Sequence, residues 1–140
     1  MFNPSRREAR QFFFDAWRKQ RDGSLLTPLE SMALDVALMH PEYHGMLDQP
    51  EKYLDKDYLP EFGDTNPFLH MNMHLAISEQ LSIDQPPGIR TAFERLRGKT
   101  GDEHAALHAV LDCLAETVWR AQRDGGTPDG AFYLECLARR

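Results

Sequence analysis

The chain has 140 residues, enough for one domain to bury its own core. Its 16 basic and 22 acidic residues leave a formal net charge of −6, which argues against a general nucleic-acid binder with a basic face. No apolar run approaches a bilayer span, and the first residues lack the apolar centre of a signal peptide, so a cytoplasmic protein without membrane contact is expected.

Helix starts are marked by four dipeptides that set a capping residue before a proline: Asn3-Pro4, Thr27-Pro28, Asn66-Pro67 and Thr127-Pro128. The cap's oxygen can accept from the free N–H groups of the first turn, and proline there has no N–H to orphan. The first predicted helix runs from about Pro4 to Arg21, with Ala9, Phe12, Phe13, Ala16 and Trp17 as its buried stripe and Gly23 as its stop. The second runs from Pro28 to about Met39, opened by the capping-box spacing of Thr27 and Glu30. Pro41 disfavours helical geometry at His40, so the helix ends there and a short turn follows from Pro41 to Leu47.

Residues 48–65 have no clean period and read as a connection containing a turn or two of helix, or a lid. The third helix, Pro67 to about Leu81, is apolar nearly all round and is expected to be central. Pro86-Pro87-Gly88 opens a fourth, stopped by Gly98, and Thr100 with Glu103 has capping-box spacing for a fifth that runs from Gly101 or Asp102 to Arg123, with Gly125 as its stop. A short last helix covers Pro128 to Ala138. The expected fold is all-α: a single-domain helical bundle over residues 1–140, with about five main helices and a short C-terminal one. Cys113 and Cys136 have no Cys-x-x-Cys spacing and are expected to be free thiols.

All six histidines fall into three pairs four residues apart: His40/His44, His70/His74 and His104/His108. Random placement would give about 0.2 such pairs. Residues four apart on a helix share a face, so each pair can offer two imidazoles to one ion. Expected metal ligands are therefore His70, His74, His104 and His108, with His40 and His44 completing the site or making a second. Asp112, one turn beyond His108, is a further ligand candidate or an acceptor that fixes its tautomer. Glu30, Glu42 and Glu103 are the carboxylates nearest in pattern.

Imidazole-rich sets suit zinc or iron first and copper next, while the scarcity of carboxylates disfavours magnesium and calcium. Six imidazoles would suit a dinuclear centre, whereas three or four would suit zinc with an open position. Hydrolytic or oxidative chemistry on a small molecule or dioxygen follows if a position is open. The rivals are a metal store or sensor, a metal-stabilised interaction module using the Pro86-Pro87-Gly88 loop, and a metal-free histidine pH switch. Homo-oligomerisation is compatible with all of them.

The run from Asn66 to His74, followed by Glu79 to Arg90, resembles an uncharacterised bacterial family catalogued as a domain of unknown function, number 1841. Asn3 to Arg6, Phe12-Phe13, His40-Pro41-Glu42-Tyr43-His44 and His104 to His108 resemble the same family, so the likeness covers nearly the whole chain. It implies a bacterial cytoplasmic protein and carries no activity with it.

Overall fold

A computed structural model describes residues 5–58 and 66–140. Among these residues every regular element is helical and none is a strand: α1 (Arg6–Asp22), α2 (Pro28–Leu38), a 3-10 turn (Pro41–Tyr43), α3 (His44–Leu47), α4 (Pro50–Tyr53), α5 (Pro67–Ile83), α6 (Ile89–Thr100), α7 (Glu103–Asp124) and α8 (Gly130–Arg139). They divide into two compact units, Met1–Asn72 and Met73–Arg140, and the division falls inside α5. No helix among the described residues is long and apolar enough to cross a membrane.

In the first unit α1 packs on α2 and α3. Phe13, Phe14 and Ala16 of α1 are buried, as are Ala33, Val36 and Ala37 of α2. The stripe on α1 is thus turned one residue from the expected one. Phe12 and Trp17 are only half-buried, while Phe14 sets its ring 5.6 Å from Phe68. Arg10 is the residue that hydropathy missed: it is 2 % exposed and donates to the carbonyls of Tyr53, Leu54 and Lys56. Its guanidinium also lies 4.6 Å from the centroid of the Phe68 ring. A planar cation can serve several free carbonyls and an aromatic face together, which offsets its desolvation. Burial and the nearby Arg6 lower its pKa from the ordinary value.

The capping box of α2 forms as expected: Thr27 Oγ1 accepts from the Glu30 N–H at 3.1 Å, and Glu30 Oε1 accepts from the Thr27 N–H at 2.9 Å. Lys19 adds an ion pair to Glu30 at 2.7 Å, tying α1 to α2. Asn66 caps α5 through Oδ1, which accepts from Phe68 and Leu69. The connection after Asp48 contains one helical turn, α4. Its remainder from 59 to 65 lies outside the described residues, as does the expected Asn3-Pro4 cap; Ser5 holds the cap of α1 by accepting from Glu8.

In the second unit α7 packs against α6 and α8. Ile89, Leu96, Ala106, Val110 and Leu137 are at most 1 % exposed. Three expected boundaries are corrected here. Gly98 does not stop the fourth helix; α6 continues to Thr100 and ends at Gly101, whose φ of 73° is the left-handed geometry a C-cap requires. Thr100 spends its hydroxyl on the Leu96 carbonyl, so Asp102 caps α7 by accepting from Ala105. Asp129, not Thr127, caps α8, accepting from Ala131 and Phe132. At the two N-termini a second capping residue stood two positions along, and the helix used the one whose oxygen reached the open N–H groups.

The cysteines are also corrected. Cys113 of α7 and Cys136 of α8 form a disulfide, their Cα atoms 5.8 Å apart across a sequence separation of 23. The packing of two helices brings them together, and no short spacing announces it. Nearby, burial raises the pKa of the Tyr133 phenol, which donates to Gln80 at 2.8 Å.

Candidate metal centre

His74 lies on α5 and is 1 % exposed. His104 and His108 stand one turn apart on α7, with ring centroids 4.3 Å apart. The His74 ring is 5.5 Å from His104 and 5.1 Å from His108. Each of the three offers a ring nitrogen, and these atoms lie within 4.8 Å of one another. Tetrahedral ligands of one ion stand about 3.4 Å apart, given metal–nitrogen bonds of about 2.05 Å. Side-chain rotations of about an ångström therefore separate this arrangement from a coordinated one. The donor set consists of three imidazoles from two helices and fits a borderline-soft divalent ion such as zinc, or iron or copper.

The local causes are legible. Asp102 caps α7 two residues before His104, so the pair four residues apart begins in its first turn. His74 shares its face with Met71 and Ile77, both fully buried, which holds the ring inside.

The histidines of the first unit are arranged differently. His40, 1 % exposed, places Nδ1 2.7 Å from the Val36 carbonyl, and His44 places Nε2 2.8 Å from the Ala37 carbonyl. Those carbonyls belong to the last turn of α2, where four have no partner within the helix. Both rings therefore donate to the helix end, a use that their spacing did not suggest. Tyr43 stacks on His40 at 9° and Trp17 lies 4.5 Å from His44. Burial, followed by the charge of Glu42, raises the Tyr43 pKa. His70 presents Nε2 to Nε2 of His40 at 3.1 Å, with the rings at 83°.

Asp112 is turned to the surface and pairs with Arg140 at 3.0 Å, and it is not among the residues whose ligand atoms come together. Glu30 is committed to its capping box and to Lys19.

Fold and site together define an all-helical protein in which imidazoles from separate helices come together around a buried His74. Residues 5–139 match the family described as Domain of unknown function (DUF1841), and the chain belongs to that family. No curated protein and no solved structure matches it.

Proposed function

We propose that the chain is a metal-binding protein whose ion is held by His74, His104 and His108. The observation that carries this reading is the convergence of three ring nitrogens from α5 and α7 within 4.8 Å. Zinc or iron suits the donor set, with copper next. Three protein ligands leave a fourth position for water or a small molecule, which is the arrangement of a hydrolytic or oxidative centre. A fourth protein ligand would make the ion structural instead, in a store, sensor or interaction module.

The test is metal analysis and zinc titration of the full chain purified without a histidine tag. Wild-type protein should bind zinc, and His104→Ala should weaken that binding by more than the roughly 10–100-fold lost with a supporting partner. A wild-type chain that retains no zinc, or a His104→Ala variant that binds as tightly as wild type, overturns the reading. In cobalt-loaded protein, absorption bands that shift on adding azide mark an open position, and bands that stay fixed mark a structural ion. Acidification should release the ion, because ligand histidines must be neutral. A cytoplasmic location is part of the proposal, and trapping free thiols in intact cells tests it, since a reducing interior disfavours a Cys113–Cys136 bridge.

A further inference from the structure

We propose that His40 and His70 form a second imidazole pair that takes a transition-metal ion of its own, so that the chain holds two ions. Both members of the pair belong to the unit Met1–Asn72. Its two Nε2 atoms are 3.1 Å apart. Nitrogens bound to one ion at about 2.05 Å stand about 2.9 Å apart at right angles and about 3.4 Å apart at the tetrahedral angle. The observed separation falls between these values. The rings meet at 83°, so they are edge to face rather than stacked, and both lone pairs can be directed at a common point.

One member of the pair is already prepared. The Val36 carbonyl, 2.7 Å from Nδ1 of His40, holds the proton on that nitrogen and leaves the Nε2 lone pair facing His70. A carbonyl behind a ring nitrogen is the usual orienting partner of a metal-bound histidine. Tyr43, nearly parallel to the His40 ring, blocks its rotation. His70 is half-buried in the first turn of α5, which leaves an approach from solvent. Without an ion, His70 donates its Nε2 proton to His40. On binding, that proton moves through solvent to Nδ1 of His70, and both lone pairs turn to the ion with no net change in protonation. Water completes the coordination.

The experiment is a zinc titration of the tag-free full chain with stoichiometry read by elemental analysis, on wild type, His70→Ala and His104→Ala. Two ions in wild type, one in His70→Ala and one His70-dependent ion left in His104→Ala are expected. A single wild-type ion lost in His104→Ala but not in His70→Ala overturns this proposal and leaves the His74 centre standing. A single ion lost in both variants overturns it in favour of one shared ion, and no zinc in wild type overturns both readings. Nitrogen NMR of the wild-type imidazoles gives a readout independent of variant folding. Zinc should move the His70 proton from Nε2 to Nδ1, and an unchanged tautomer overturns the proposal.

Discussion

In Met1–Asn72 two of the three histidines close the end of α2 on the carbonyls of Val36 and Ala37, whereas in Met73–Arg140 all three rings face one another. The pairs His40/His44 and His104/His108 have identical spacing, yet one spans a helix end and the other lies inside a helix. Spacing alone therefore reports a shared face only where the helix is continuous. The units also differ in how they are fastened. The first relies on polar ties from Arg10, Glu30 and Lys19, while the second has a covalent link between α7 and α8.

The largest expected effect tests that covalent link. Replacing both cysteines, Cys113→Ala with Cys136→Ala, should cost about 3 kcal/mol, the value expected for closing a loop of this length. Urea unfolding reads the total, and amide exchange should show the loss concentrated in α7 and α8. If α1 and α2 lose protection equally, the two units unfold as one and the contrast in fastening has no energetic meaning.

Arg10→Met comes next, at about 2 kcal/mol, because it strips charged hydrogen bonds from three carbonyls while keeping the apolar stem. Here the loss of protection should centre on α1 and α4. A loss below about 0.5 kcal/mol would make the clamp ornamental, comparable to an ordinary surface change. Thr27→Ala should cost about 1 kcal/mol through the lost cap of α2.

The smallest effect is a pH dependence. The ammonium of Lys19, then the N–H of Thr27, hold the Glu30 carboxyl below its ordinary value of 4.5. Its contribution is complete above 4.5 and is lost as pH falls through the depressed folded value. Glu30→Gln should flatten that part of the acid limb. In the second unit Asp84 is depressed in the same direction by the backbone N–H groups of Arg90 and Gly88, so its acid sensitivity should survive the Glu30 change. An unchanged acid limb in Glu30→Gln would remove Glu30 from the account.

Helical class, the caps at Thr27 and Asn66, and the glycine stops at 23 and 125 were legible from residue order, because each depends on contacts within a few positions. So were the six candidate imidazoles. Which of them meet was not legible, nor was the rotation of the α1 stripe toward Phe14, the burial of Arg10, or the Cys113–Cys136 bridge. Each of these pairs residues 23 to 58 positions apart or more closely through a helix end, where neighbouring side chains carry no record of the partner. Local chemistry decides where a helix begins and which face is apolar. Only the packing of one helix on another decides which distant ring a histidine on that face meets.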